Sequence, residues 1–126
     1  MNRLLLDTNV AVWLLLGSRE RVSANAVEAL ENEHNEVALS AASVWEIAIK
    51  RSLGKLTIVD GWTSVLSRLG FDPLPVTAIH AAAVEHLPWH HRDPFDRLLV
   101  AQASVERLTL VSADRRLEAY GVGVLW

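Results

Sequence analysis

The chain begins with a short apolar run that stops abruptly at a carboxylate. Arg3–Leu6 is followed by Asp7, two small polar residues and a second apolar run, Val10–Leu16. A short, continuous apolar run is typical of a strand that is buried on both faces of a sheet. We therefore predict a central strand over Arg3–Leu6, with Asp7 at its carboxyl end, where open α/β sheets place their ligands.

The rest of the pattern alternates between helical and strand periods. Helices are predicted over Val10–Leu16, from Ser23 onward, over Ala41 to about Ser52 (opened by Ser40 or Ser43), from an Asp60 cap to Gly70, from a Thr77 cap to about His86, from Asp93-Pro94 to about Arg107, and from Asp114 to Gly121. Further strands are predicted at Val37–Leu39, Leu74–Val76, Leu108–Val111 and Val122–Leu125. This alternation favours one α/β domain over residues 1–126, a three-layer α/β/α fold with a central, mostly parallel sheet of 4–5 strands.

Composition narrows the class of protein. The 126 residues are 51% hydrophobic, which predicts a globular domain with a substantial core. The absence of cysteine excludes disulfides and thiolate metal sites and fits a reducing cytoplasm. With a net charge of -3, the chain would have to bind nucleic acid through a local basic patch or metal ions. Asp7 and Asn9 interrupt the N-terminal apolar run, so we expect a soluble, unprocessed protein rather than a signal peptide or membrane span.

Four carboxylates occupy comparable positions along this predicted fold. Asp7 and Asp114 directly follow strands, and Glu46 and Asp96 lie in the first turns of helices. In a parallel sheet these positions lie at one edge, the carboxyl end of the strands. Each acid alone also has a structural explanation, because acids cap and stabilise helix N-termini; Glu46, for example, follows Ser43 at capping-box spacing.

Four carboxylates that converge would repel one another and raise one another's pKa. A divalent cation relieves that repulsion, and oxygen ligands without cysteine select hard ions such as Mg²⁺ or Mn²⁺. Such an ion lowers the pKa of bound water and stabilises the charge that develops on a phosphodiester during in-line attack. The acids therefore indicate metal-assisted phosphodiester hydrolysis.

A family resemblance is carried by four segments: LLLDTNV at Leu4–Val10, SAASVWEIAIKRSLGKL at Ser40–Leu56, HRDPFDRLLVAQA at His91–Ala103 and LVSADRRLEAYGV at Leu110–Val122. Over essentially its whole length the chain resembles the PIN domain ribonucleases, and specifically the VapC-type toxins of type II toxin–antitoxin systems. The resemblance implies a PIN-like fold and RNA cleavage in which Asp7, Glu46, Asp96 and Asp114 hold Mg²⁺ or Mn²⁺ and activate water. It also implies a homodimer and a VapB-like antitoxin that blocks the pocket and alone contacts DNA.

The roles of the acids follow from their positions and from this resemblance. Asp7 is expected to contact the metal directly. Asp96 is the second choice for direct metal contact and is preferred to Asp93, because it matches the family acid five residues before the small residue Ala101. Asp93 then caps its helix, or joins an outer shell around the metal. Glu46 and Asp114 are expected to bind the metal directly or through water, with one of them as general base.

Short polar and basic residues beside the acids are the remaining candidates. Thr8, Asn9 and Ser112 are suited to hydrogen bonds that orient the acids, with local turn and cap bonding as the alternative. Seven basic residues flank the acids and are candidates to grip RNA phosphates, with Arg97 chosen first: Lys50, Arg51, Lys55, Arg92, Arg97, Arg115 and Arg116. For Lys50 the alternative is an ordinary helical pair with Glu46.

Aromatic residues and histidines receive different predictions. Trp13 and Trp45 are predicted to be core residues, whereas Trp89, in a loop, is the better candidate to stack on a base. His90 and His91 are expected to be surface or RNA-contacting groups rather than metal ligands.

Two other functions compete with the nuclease hypothesis. A PIN-fold binding module without catalysis is disfavoured because all four acids are present. A phosphoryl-transfer domain of the receiver or haloacid-dehalogenase type would phosphorylate the Asp after the first strand. The dehalogenase pattern requires a second Asp two residues later, where this chain has Asn9, and two predicted helices separate the first and second strands, unlike a receiver.

Overall fold

One or more helices separate each strand from the next along the chain, which a computed structural model describes from residue 1 to residue 126. The elements are β1 Arg3–Leu6, α1 Thr8–Leu15, α2 Ala24–Glu31, β2 Glu36–Ser40, α3 Ala41–Ser52, α4 Trp62–Arg68, β3 Asp72–Leu74, α5 Ala78–Ala83, α6 Pro94–Glu106, β4 Thr109–Val111 and β5 Val124–Leu125. Short 3₁₀ helices span Arg19–Arg21, Val84–His86 and Arg115–Tyr120. None of the helices combines the length and the apolar character needed to cross a membrane.

The five strands form one sheet in the order β3-β2-β1-β4-β5, and every neighbouring pair is parallel. β1 lies at the centre between β2 and β4. Its side chains alternate between two cores: Leu4 and Leu6 pack in a cluster with Val10 of α1, and Leu5 packs in a cluster with Val100 of α6. The sheet is thus covered by helices on both faces, which confirms the predicted three-layer α/β/α fold.

The local signals for helix ends are largely confirmed. Asp93 caps α6 by accepting hydrogen bonds from the N–H groups of Phe95 and Asp96, and Pro94 takes the first helical position. Thr77 caps α5, where the Nδ1 atom of His80 in turn accepts the N–H of Thr77 at 3.1 Å. The start of α6 matters most for the site, because it fixes the position of Asp96.

Several predicted boundaries are wrong. The first helix begins at Thr8 rather than Val10, and the last strand begins at Val124 rather than Val122. Asp60 does not cap α4; Gly61 takes that place in a left-handed conformation, and the Asp60 carboxylate pairs with Arg51 instead. The third strand spans Asp72–Leu74 rather than Leu74–Val76, with Asp72 opposite Ala38 in β2. Because β3 is at the edge of the sheet, it tolerates a proline within the strand.

Candidate active site

Asp7 lies at the middle of the carboxyl edge of the sheet, where β1 ends. Its side chain is buried, and the hydroxyl of Ser112, which follows β4, donates a hydrogen bond of 2.6 Å to Oδ2 of Asp7. The carboxylate makes no capping hydrogen bond to α1, although the nearby N–H groups of Asn9 and Thr8 act to lower its pKa. Burial outweighs these contacts and raises the pKa of Asp7. Asp7 thus occupies the N-cap position of α1, and the side-chain hydrogen bond that its carboxylate accepts comes from Ser112.

Asp96 is the acid whose pKa is raised by burial and by the charges of the other acids. It lies in the first turn of α6, and its side chain faces the same edge as Asp7. Burial, followed by the charges of Asp7, Asp93, Glu46 and Asp114, raises the pKa of Asp96 to about 7. All the predicted acids are therefore close enough to act on one carboxyl group, and at neutral pH that group is held near the midpoint of its titration.

Glu46 reaches the site from the second turn of α3. The helix begins at Ser40 rather than Ser43, so the capping-box explanation of Glu46 does not apply. The carboxylate of Glu46 is buried, and its Oε2 atom lies 2.7 Å from Nζ of Lys50, one turn along the helix. This hydrogen bond raises the pKa of Lys50. Lys50 thus partly balances the charge of Glu46 through Oε2. The other carboxylate oxygen of Glu46, Oε1, has no hydrogen-bond partner within the protein.

Asp114 completes the cluster from the loop after β4. Its carboxylate accepts the N–H of Arg116, as a cap of the following 3₁₀ helix, and also pairs with the Arg116 guanidinium at 2.9 Å (Nε to Oδ1) and 2.8 Å (Nη2 to Oδ2). These hydrogen bonds lower the pKa of Asp114. Asp114 is therefore an acid that remains ionised beside Asp96, whose proton is held more tightly.

His91 lies within the acidic cluster, so the surface alternative of its prediction is wrong, whereas its contact with RNA stays a prediction. Its side chain is only 11% exposed, and its Nε2 atom lies 3.3 Å from Oδ2 of both Asp96 and Asp114. The Nδ1 atom accepts the N–H of Asp93 at 3.1 Å, and the guanidinium of Arg116 lies 3.2 Å (Nη2) from Nε2. His91, Asp96 and Asp114 offer ligand atoms that all lie within 4.8 Å of one another. The signal for this placement is the position of His91 two residues before the helix cap.

The three short polar candidates have different surroundings. Ser112 bonds Asp7, and its Oγ also accepts the N–H of Asp114 at 3.0 Å, so one buried hydroxyl links two of the acids. Thr8 instead shares a buried hydrogen bond of 2.9 Å with the hydroxyl of Ser43 and touches no acid in this way. Asn9 is exposed. Of the three, Ser112 has the contacts expected of a residue that orients the site.

Arg97 does not face solvent, which overturns its choice as the first phosphate-gripping residue. The residue is 3% exposed, and its guanidinium donates to the backbone carbonyls of Pro88, Val84 and Leu87. Trp89 lies over the same guanidinium, with its ring centroid 3.8 Å from Cζ of Arg97. Arg97 therefore fastens the loop before α6 onto that helix, and we do not propose it as an RNA contact.

Arg97→Lys is expected to lower the free energy of unfolding by about 2–3 kcal/mol, because an ammonium group cannot satisfy the carbonyls that the guanidinium binds in its planar fork. Urea unfolding followed by circular dichroism measures the change. Arg115→Lys is the matched control, since Arg115 is exposed and pairs only with Glu118 one turn away. Equal stability of the two variants would show that the buried hydrogen bonds of Arg97 contribute nothing net.

The aromatic predictions are partly wrong. Trp45 is 60% exposed and packs edge-on against Phe95 on the surface rather than in the core. Trp13 is half-buried against the ring of Trp126. Trp89 is exposed as expected, but one face of its ring is covered by Arg97. Only the opposite face of Trp89 is available for stacking.

The donor set at this edge suits a hard divalent cation. The four predicted ligands are all carboxylates, and burial, followed by the charges of the neighbouring acids, raises the pKa of Asp96. A large cavity of about 670 Å³ lies elsewhere, between α3, α4 and β3, and its walls are mainly apolar and include none of the four acids. This large cavity is thus separate from the predicted acidic site.

Comparison with known proteins identifies the family of this chain. The profile of the PIN domain family matches residues 4–123. Ribonuclease VapC22 of Mycobacterium tuberculosis (strain ATCC 25618 / H37Rv) is 32% identical over 123 residues, which cover 95% of this chain and 93% of that protein.

Two solved structures illustrate the similarity of the fold. The structure of VapBC2 from Rickettsia felis bound to a DNA fragment from their promoter matches with a TM-score of 0.68 and 17% identity, covering 97% of this chain and 96% of the matched one. FitAcB from Neisseria gonorrhoeae matches with a TM-score of 0.60 and 22% identity, covering 96% and 95%. With its profile match over nearly the whole chain and its identity to VapC22, the chain belongs to the PIN domain family, as a VapC-type member.

Proposed function

We propose that this protein is a metal-dependent endoribonuclease toxin that a VapB-like antitoxin holds inactive. The observation that carries the proposal is the convergence of Asp7, Glu46, Asp96 and Asp114 at the carboxyl edge of the sheet, where burial, followed by the charges of the other acids, raises the pKa of Asp96 to about 7. RNA is the proposed substrate because the relative VapC22 is named a ribonuclease. An inactive binding module would have no need of so costly a concentration of charge.

The same four carboxylates are the residues that would hold Mg²⁺ or Mn²⁺. When bound, such an ion lowers the pKa of the attacking water and stabilises the charge that develops on the phosphodiester. The protein supplies fixed ligands: Ser112 holds the carboxylate of Asp7, and the Asp93 cap fixes the helix turn that carries Asp96. Glu46 has Lys50 on Oε2 and keeps Oε1 for the metal or for the proton of the water, which makes it the preferred general base.

An apolar hollow supports the proposed antitoxin. A cavity of about 340 Å³ lies between α1, α2 and the segment that follows α4, with Leu14, Val27, Leu30 and Phe71 among its walls. A hollow of this kind suits an amphipathic helix that inserts apolar side chains at helical spacing. The structural neighbours from Rickettsia felis and Salmonella typhimurium are complexes named VapBC. The homodimer that the family resemblance implies stays a prediction.

Cleavage of total RNA by the purified protein tests the proposal. We expect cleavage with Mn²⁺ or Mg²⁺, no cleavage in excess chelator, and recovery when metal is added back, because the acids cannot activate water without a cation. Products are resolved on a denaturing gel, and mapping their ends locates the cut sites.

A mock preparation from cells without the protein must be inactive under the same conditions, which excludes a contaminating nuclease. Mass spectrometry of the sample establishes that no antitoxin has copurified. Cleavage that persists in chelator, or no cleavage by the folded, antitoxin-free protein with either metal, would contradict the proposed function.

A further inference from the structure

A cationic hollow lies beside the acidic cluster. It is formed between α1, α3 and the Arg19–Arg21 turn, and its volume is about 280 Å³. Ten residues line it, of which three are cations and none is acidic. The cations are Arg21, Lys50 and Lys55, and the lining residues also include Asn9 and Trp13. In a protein whose net charge is -3, this is a local reversal of sign. Such a wall attracts a negatively charged ligand.

Two of these cations have no partner within the protein. Arg21 and Lys55 take part in no ion pair, and neither side chain is engaged in a hydrogen bond, whereas Arg51 nearby is occupied by Asp60 and by the carbonyl of Ile58. Both residues are exposed. Their charges are therefore available to a ligand without the loss of any contact that stabilises the fold.

Lys50 joins the hollow to the acids. It lines the hollow and bonds Oε2 of Glu46 at 2.7 Å, and the charges of Asp93 and Asp96 act on it as well. Asn9 belongs to the same wall and comes two residues after Asp7 in the chain. A ligand that reaches from the acidic cluster to the hollow would therefore place one of its chemical groups at the acids and the adjoining group in the hollow.

We propose that this hollow is a subsite for the nucleotide that adjoins the cleaved phosphodiester, with its phosphate bound by Arg21 and Lys55. The inference rests on the proposed function, since it takes RNA as the ligand. The half-buried indole of Trp13 provides an apolar wall for a ribose or base beside that phosphate. A single strand is the form that fits, because a base that stacks against a side chain must be free of its pair.

Binding of a fluorescein-labelled single-stranded RNA oligonucleotide of mixed sequence tests this, measured by anisotropy in chelator so that no cleavage occurs. Each phosphate contact with a cation contributes about 0.7 to the slope of log affinity against log salt concentration for single strands. Arg21→Gln and Lys55→Gln are each expected to reduce the slope by about that amount, and the double variant by about twice as much. Arg68→Gln is the matched control, since Arg68 is an exposed cation on α4 that bonds only the carbonyl of Ser64.

The outcomes separate this inference from the nuclease proposal. The subsite would be overturned if the salt slopes of Arg21→Gln and Lys55→Gln equal the wild-type slope. It would also be overturned if these slopes fall no further than the slope of Arg68→Gln. Either result would count against the subsite even if metal-dependent cleavage is found. Reduced slopes without any cleavage would support the subsite and contradict the proposed catalysis. Unchanged thermal midpoints of the variants show that a loss of binding does not come from unfolding.

Discussion

An Asp7→Asn protein is expected to fold normally and to lose RNA cleavage by a factor of at least about 10², because loss of even an outer contact to a metal ligand costs about 10–100-fold in metal affinity or activity. The fold survives because burial already disfavours the charged form of Asp7, and Asn has nearly the same shape. The measurement is the initial rate of cleavage at saturating Mn²⁺, together with Mn²⁺ affinity by calorimetry.

Ser112→Ala gives a graded comparison. It removes the hydroxyl that bonds Asp7 at 2.6 Å but keeps the carboxylate, so its loss should be smaller than that of Asp7→Asn. Asp60→Asn, at an exposed carboxylate outside the cluster, is the matched control and should retain full activity. Wild-type cleavage by Asp7→Asn would remove this residue from the proposed site, whatever the other acids do.

Replacing Asp96 with Asn is expected to stabilise the metal-free protein at pH 8. The pKa of Asp96 is about 7 in the folded protein, against an ordinary value of 3.8, so the folded state binds this proton more tightly than the unfolded chain. The free energy of unfolding therefore falls as pH rises from about 4 to about 7 and stays low above that range. A pKa shift of this size lowers the free energy of unfolding of the wild type by about 2–4 kcal/mol at high pH. Asp96→Asn does not show this loss, because the amide has no proton to release.

Thermal and urea unfolding of the metal-free proteins between pH 5 and pH 8 measure this effect. The wild type should lose stability across the range, and Asp96→Asn should show a flatter profile. Asp72→Asn, an exposed acid on the edge strand, should follow the wild type. Added Mn²⁺ should raise the wild-type midpoint at pH 8 more than that of Asp96→Asn, since a ligand stabilises the state that binds it. Parallel profiles for wild type and Asp96→Asn would contradict the charge crowding inferred around this residue.

Features that depend on a few neighbouring residues were predictable from the sequence. The buried strand Arg3–Leu6, the Asp93-Pro94 helix start and the Thr77 cap are each determined within about one turn of chain, and the structure has them in place. The order of strands and helices then brings the acids to one edge of the sheet, because parallel strands all end there. The choice of the four acids as metal ligands stays a prediction that the proposed experiments test.

Features that depend on distant contacts were not predictable. In the sequence, Arg97 cannot be distinguished from other cations that lie beside an acidic site. Only the folded structure shows that the backbone carbonyls of Val84 and Pro88 accept the hydrogen bonds of its guanidinium. His91 became part of the cluster only because the loop after β4 brings Asp114 to the same place as Asp96. Helical periodicity did not distinguish the exposed Trp45 from a core residue, since the pattern does not show where the neighbouring elements leave a surface open.

The hydrogen bond from Ser112 to Asp7 joins residues that are 105 positions apart in the chain. On the ribosome, Asp7 therefore emerges long before Asp96, Ser112 and Asp114, and β1 lacks its partner β4 until residues 109–111 have left the exit tunnel. The proposed site has no complete set of ligands during that interval. A nascent chain thus lacks the proposed site until the loop after β4 has emerged, so any activity of that site begins only at this late stage of synthesis.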